Sequence, residues 1–275
     1  MRWRTLINRR SSLQIGSCRG IALHLHLSWF PLAAVVSYTL ASQFLPELLP
    51  DRSPLTYAAT GLVSSLLFFL SILLHELGHS IVSQRCGVPV TRITLYCIGG
   101  VAEIAREPDD PTSEIKIALG GPAVTVLITL LSLCLGLFLE NRENDLPAVI
   151  SYWLAAANFS LLIFNLIPAY PLDGGRVLRA LLWKRTGRLA RSTWISSRAA
   201  LVLSAGLVLW GAYGLFAKHQ WSALSFILIG WFLQRAARRG YQHSLEKELR
   251  SNGPAHHSNP GQSPESQPHS SDHTS

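Results

Sequence analysis

Five runs in this chain of 275 residues contain no Asp, Glu, Lys or Arg: 27–45, 57–74, 117–139, 146–172 and 199–217. A helix needs about 20 mostly apolar residues to cross a bilayer core, and every run is near that length. Only 15% of the chain is charged, against about 25% in soluble domains. A soluble globular enzyme, a disulfide-rich secreted module and a disordered chain are therefore excluded. The expected fold is an all-α polytopic membrane protein with about six transmembrane helices. They lie near Leu27–Leu45, Thr56–Ser83, Ile117–Leu139, Leu146–Tyr170, Ala199–Ala217 and, as the shortest, Trp221–Leu233.

Charge placement orients these spans. With six crossings, Arg52, Arg142 and Lys218 fall on one side and every other Lys and Arg on the opposite side. The positive-inside bias then puts both termini in the cytosol of a multi-pass cell-membrane protein. It also accounts for the net charge of +8 with the lipid bilayer, and no nucleic acid, as partner. Tryptophans 194, 210, 221 and 231 lie near predicted span ends, where indole rings prefer to sit. Cysteines 18, 86, 97 and 134 form no CxxC pair and read as reduced thiols. The arginine-rich start lacks a short apolar core and a small-residue cleavage site, so no removable signal peptide is expected.

The expected organisation is a basic cytosolic segment (1–20), a membrane core (21–182), a basic loop with C-terminal spans (183–240) and a cytosolic disordered tail (241–275). Val90 to Glu103 is rich in β-branched residues and carries Gly99-Gly100 at a turn position, which predicts a small β-hairpin between spans two and three. Residues 251–275 contain no large apolar side chain and cannot order themselves. The histidines there (256, 257, 269 and 273) read as part of a solvated tail.

The chemistry concentrates in His75-Glu76-Leu77-Gly78-His79, inside the second span. Helix positions i and i+4 share a face, so His75 and His79 can offer two imidazole nitrogens to one zinc ion. Glu76, one step round, is placed to move a proton there. Ionisable residues in a spanning helix cost about 2.5–3.5 kcal/mol each, so three together must face a polar interior with partners. A catalytic zinc needs a third protein ligand and an open position. Asn165-Leu-Ile-Pro168-Ala-Tyr-Pro171-Leu-Asp173-Gly174-Gly175 supplies a candidate in Asp173. The prolines and glycines break the helix, and broken backbone at membrane depth is tolerated only inside protein or beside a water-filled cavity. Spans two and four run in the same direction, so both motifs approach one membrane face at compatible depths.

HELGH followed by NLIPAYPLDGG resembles the site-2 protease family of intramembrane zinc metalloproteases. Gly20–Trp29, Gly99-Gly100-Val-Ala-Glu103, and Glu114 leading to Gly120-Gly121-Pro122 extend the similarity over about residues 16–182. The resemblance implies one zinc per chain held by His75, His79 and Asp173, with Glu76 as catalytic acid/base. It implies that Asn165 hydrogen-bonds the substrate or oxyanion. It also implies a single-span membrane protein as substrate, such as an anti-sigma factor or a membrane-tethered regulator, cut near the cytosolic end of its helix. The loops are too short for the PDZ domain of some relatives, and the form without PDZ or CBS domains is expected.

The hairpin at 90–103 has two readings: its edge could hold an unwound substrate by β-addition, or it could plug the site. His24 and His26 read as structural or interfacial, and Asn158 as a helix–helix hydrogen-bonding residue. Arg176 and Arg179 read as part of the basic band, with Arg176 close enough to steady Asp173. Gly61 and Gly136 read as packing positions. The competing function is a membrane metal transporter or zinc-binding protein using the same ligands, which would be indifferent to Glu76→Gln.

Overall fold

Two of the long helices start where the sequence supplies a cap followed by proline. In the computed structural model, which describes residues 11–97, 99–140, 145–220 and 223–252, α3 (Pro54–Arg85) begins after Ser53, whose hydroxyl accepts the Thr56 amide. Helix α4 (Pro111–Leu139) repeats the device with Asp110 and the Ser113 amide. The Ser113 hydroxyl and amide hold the Asp110 carboxyl below the usual carboxylate range. Proline in the first turn has no amide hydrogen to lose and its φ is already helical. At 32 and 29 residues both helices extend for about 45 Å, well beyond a bilayer core of about 30 Å.

Among the described residues, four helices are long and apolar enough to cross a membrane: α3, α4, α5 (Leu146–Leu166) and α7 (Leu189–Ala217). Two of the six expected spans differ. The first is α1 (Trp29–Thr39), a π-turn over Leu40–Phe44, and α2 (Leu45–Leu48). Pro46 cannot donate to the carbonyl four residues back, and Ser42 Oγ bonds the Tyr38 carbonyl at 2.8 Å. The ladder shifts register, and no single helix there reaches span length. The last expected span falls in α8 (Leu224–Asn252), which stays apolar only to Leu233 before Gln234 and Arg235. Trp221 lies outside the described residues, as do Arg142, residues 1–10 and the histidine-bearing tail from 253. Helix α8 continues through 241–252, where a disordered tail was expected. Tyr241, Leu245 and Leu249 recur there at helical spacing and give that segment an apolar stripe.

The predicted hairpin is present as β3 (Val90–Tyr96) and β4 (Gly99–Ile104), but within a four-stranded sheet. The segment expected as a basic lead and span entry folds as β1 (Ser12–Cys18) and β2 (Ile21–His26). The strand order is β1-β2-β3-β4, with β2 and β3 parallel (His24 opposite Thr94) and the outer pairs antiparallel. Gly99 opens β4 at φ +119, a value that side chains disfavour. Ile21, Ile93 and Leu95 pack on Trp29 and Ala33 of α1 and on Phe69, Leu73 and Leu77 of α3. This seats the sheet on the helix that carries HELGH.

Helices α3 and α4 cross backbone to backbone. A Cβ on Gly78 would sit 2.5 Å from the Gly120 carbonyl oxygen, and one on Gly120 2.7 Å from that of Gly78. Such contacts let spanning helices approach closely. Gly61 against the Ser37 carbonyl and Gly136 against the Tyr152 ring are packing positions, as expected. Asn158 donates to Ser71 Oγ at 3.2 Å and joins α5 to α3. Helix α6 (Asp173–Thr186) follows the broken segment after α5. Ala200 of α7 with Leu233 and Ala237 of α8 packs around Ala169 of that segment.

Candidate metal centre

His75 and His79 lie in the last three turns of α3, Asp173 opens α6, and all three are buried. Among the described residues they form the one group of His, Cys, Asp and Glu with ligand atoms close enough to hold a metal ion, all within 4.8 Å of one another. The two Nε2 atoms are 3.0 Å apart. His75 Nε2 is 3.3 Å from Asp173 Oδ2, and His79 Nε2 is 3.2 Å from Asp173 Oδ1.

Hydrogen bonds on the far side of each ring orient the imidazoles. His79 Nδ1 lies 2.7 Å from the Ile117 carbonyl and 3.2 Å from the Gly121 amide nitrogen, and the shorter contact, with an atom that only accepts, favours the proton on Nδ1. Thr125 Oγ1 donates to the Gly121 carbonyl at 3.3 Å and accepts from His75 Nδ1 at 2.8 Å. Both Nε2 atoms therefore present lone pairs inward. Asp173 Oδ2 is buried and accepts no hydrogen bond. Three ligand atoms converge in a buried space, an arrangement that a cation satisfies. Nitrogen and carboxylate donors in this number suit zinc with one position left open.

Glycines shape this space. A Cβ on Gly121 would overlap His79 Nε2 and come within 2.7 Å of His75 Nε2. The Tyr170–Pro171 peptide is cis. Side chains on Gly174 or Gly175 would collide with the backbone of 166–170, so the two glycines let α6 fold back tightly enough to present Asp173.

Glu76 is half-buried beside the group and makes no hydrogen bond among the described residues. Strand β4 crosses it: a Cβ on Gly100 would overlap Glu76 Cγ and lie 3.1 Å from its Oε1. Asn165, in the last turn of α5, is half-buried and is hydrogen-bonded to none of the three ligand candidates. His24 and His26 stand apart from the centre. His26 Nδ1 is 2.9 Å from Ser28 Oγ and its ring stacks on Tyr96. His24 is buried, and burial together with the Arg92 guanidinium pulls its imidazole below the usual range, against a smaller opposing effect of Glu103.

Arg179 departs from expectation. It is buried, its Nε donates to Glu114 Oε1 at 2.8 Å, its Nη2 bonds the same oxygen, and its Cζ lies 4.8 Å above the Tyr170 ring. It ties α6 to α4 and takes no part in a surface band. Thr125 and the Ile117 carbonyl also escaped sequence reading, and Gly121 and Gly100 were noted only within longer motifs, because each acts through a fold contact that no local motif records.

The model of peptidase family M50 matches residues 63–146 and 141–207. A Synechocystis sp. protein provisionally named a zinc metalloprotease is 33% identical over 242 residues, covering 86% of this chain and 62% of its own length. Rip3 of Mycobacterium tuberculosis, named in the same provisional way, is 31% identical and covers 83% of this chain and 58% of itself. The chain thus spans about three-fifths of the length of these curated relatives. Among solved structures, the site-2 protease from Methanocaldococcus jannaschii is similar with a TM-score of 0.57 at 31% identity, covering 84% of this chain and 95% of that one.

Proposed function

The chain belongs to peptidase family M50, and on that premise we propose that it is an intramembrane zinc metalloendopeptidase of the site-2 protease type. The observation that carries this reading is the convergence of three buried ligand side chains beside an uncommitted Glu76. His75, His79 and Asp173 are the metal ligands, and Glu76 is the catalytic acid/base. A zinc ion held there supplies Lewis-acid activation of water and of the scissile carbonyl.

Glu76 takes a proton from the attacking water as its oxygen bonds the carbonyl carbon. It returns that proton to the amide nitrogen as the C–N bond breaks, leaving a carboxylic acid and an amine. Asn165, with its side chain uncommitted, donates a hydrogen bond to the oxyanion. Thr125 and the Ile117 carbonyl keep both imidazoles in the tautomer that binds metal.

A substrate helix hides its carbonyls in i→i−4 bonds and must unwind before attack. Strand β4 is an edge of the sheet and passes directly over Glu76. That supports β-addition, with the unwound segment pairing along β4 so that its backbone lies beside Glu76. The substrate is a single-span membrane protein of regulatory type, such as an anti-sigma factor or a membrane-tethered regulator, cut near the cytosolic end of its span in regulated intramembrane proteolysis.

The test is cleavage of a tagged single-span substrate by purified protein in liposomes. Wild type, Glu76→Gln and chelated samples run together, with zinc content measured in each. Cleavage by wild type alone, with zinc retained in Glu76→Gln, is the expected result. Zinc flux across the liposomes that Glu76→Gln leaves intact, without cleavage in any sample, would replace this reading with a transporter.

A further inference from the structure

Asp173 reaches the metal centre on a short piece of irregular backbone. Between the end of α5 at Leu166 and the start of α6 at Asp173, the chain bonds to itself twice. The Ala169 amide meets the Ile167 carbonyl at 2.7 Å, and the Leu172 amide meets the Ala169 carbonyl at 2.9 Å. The other buried backbone groups of such a segment need partners outside it. A carboxylate carried on this turn is placed only as well as the turn itself is held.

Helix α7 supplies the partner. Ser196, fully buried, accepts the Tyr170 amide at its carbonyl (3.2 Å) and donates its hydroxyl to the Gly175 carbonyl (2.7 Å). One residue thus grips the chain on both sides of Asp173. A serine inside a helix commonly turns its hydroxyl back on its own backbone, as Ser192 does to the Arg188 carbonyl and Ser204 to that of Leu201. Ser196 reaches across to α6 instead.

Helix α8 adds a second hold. The Tyr170 ring meets Arg179 of α6, whose Cζ is 4.8 Å from the ring centroid. It also lies against the backbone of α8, where a Cβ on Gly240 would overlap the ring carbon Cε1. One turn before Gly240, the Ala237 carbonyl accepts the Ser197 hydroxyl at 3.3 Å, which ties α8 to α7 beside Ser196.

We infer that Ser196 is a positioning residue for Asp173, and that α7 and α8 belong to the metal centre through Ser196 and the Tyr170–Gly240 contact. The inference rests on the reading of His75, His79 and Asp173 as metal ligands. His75 and His79 sit on α3 and are oriented from α4, so they keep their places when α7 lets go. Asp173 does not. Loss of the Ser196 hydroxyl frees the first turn of α6, and the affinity for metal falls. The β4 edge proposed to pair with substrate is untouched by that change.

The test compares purified full-length wild type, Ser196→Ala, Gly240→Ala and Ser204→Ala in nanodiscs. Three properties are read: zinc retention against a chelator, visible absorption of the cobalt(II)-loaded protein, and cleavage of the tagged single-span substrate. Ser196→Ala should weaken zinc retention by about 3- to 10-fold, the scale of one buried hydrogen bond. It should also shift the cobalt spectrum and lower kcat with KM unchanged. Gly240→Ala, which drives a methyl group into the Tyr170 ring, should change the three properties in the same direction. Ser204→Ala removes a comparably buried hydroxyl that bonds its own helix and should match wild type throughout. Wild-type zinc retention and cobalt spectrum in Ser196→Ala, whatever its unfolding midpoint, would overturn the proposal. Equal loss of zinc in Ser196→Ala and Ser204→Ala would overturn it too, by showing a general loosening of α7. A wild-type protein that retains neither metal would overturn the metal-ligand reading itself and this inference with it.

Discussion

Gly121 has no side chain because the space beside it belongs to two imidazole nitrogens. Gly121→Ala would place a methyl group against His79 Nε2 and 2.7 Å from His75 Nε2, inside the volume that a metal must fill. The purified variant is expected to lose its zinc. Gly16→Ala, with nothing within 4 Å of the added carbon, should keep it, and metal analysis of the two proteins decides the matter. Thr125 acts one bond further out by accepting from His75 Nδ1. Partners of this kind typically change metal affinity about 10–100-fold when removed. Thr125→Val should therefore weaken zinc retention against a chelator by about that factor. Thr125→Ser, which keeps the hydroxyl, should restore it. Equal affinity in all three proteins would show that the hydroxyl does not orient the ring.

Docking of α6 on α4 decides whether Asp173 meets the histidines of α3, and a buried ion pair makes that docking. Glu114 is 1% exposed and Arg179 4%, so removing one partner leaves an uncompensated charge, a loss of about 3–5 kcal/mol. Replacing both partners by apolar residues of similar size is often close to neutral. Glu114→Leu should destabilise the protein strongly in an SDS unfolding titration, and Glu114→Leu/Arg179→Met should recover most of the loss. A double variant as weak as the single one would mean that packing, and not charge, holds α6. Helices α3, α4, α5 and α7 were legible as charge-free runs, and HELGH and Asp173 were legible as motifs. Arg179 was not, because a buried and a surface arginine look alike in a basic stretch. The sheet was half legible: β3 and β4 pair through a local turn, whereas β2 pairs with β3 in parallel, Ala22 opposite Arg92. No local pattern reports a contact across that separation. The break of the first span at Leu40–Phe44 comes from register and Pro46, which hydropathy does not see.

At the scale of the whole molecule, the ligand group, the sheet and the basic residues share one end of the helix bundle. His79 is six residues from the Arg85 end of α3, and the sheet follows directly. Arg52 and Lys218 lie at the other end, before α3 and after α7. If the positive-inside bias operates, the end bearing the sheet faces the cytosol. Cys97, exposed beside the β3–β4 turn, is then a native reporter of that side. Cys134 lies on the apolar flank of α4, out of reach of a water-soluble reagent when that helix is in lipid. A variant retaining Cys97 as its single cysteine should resist a membrane-impermeant maleimide in intact cells and react after permeabilisation. Lys218→Cys in a cysteine-free background should react in intact cells. The reverse pattern would invert the molecule and move the cut to the opposite end of the substrate helix. Labelling of both positions from outside would mean that the helices around the sheet do not cross the membrane as a bundle. The labelling pattern therefore tests the orientation on which the proposed cut site depends.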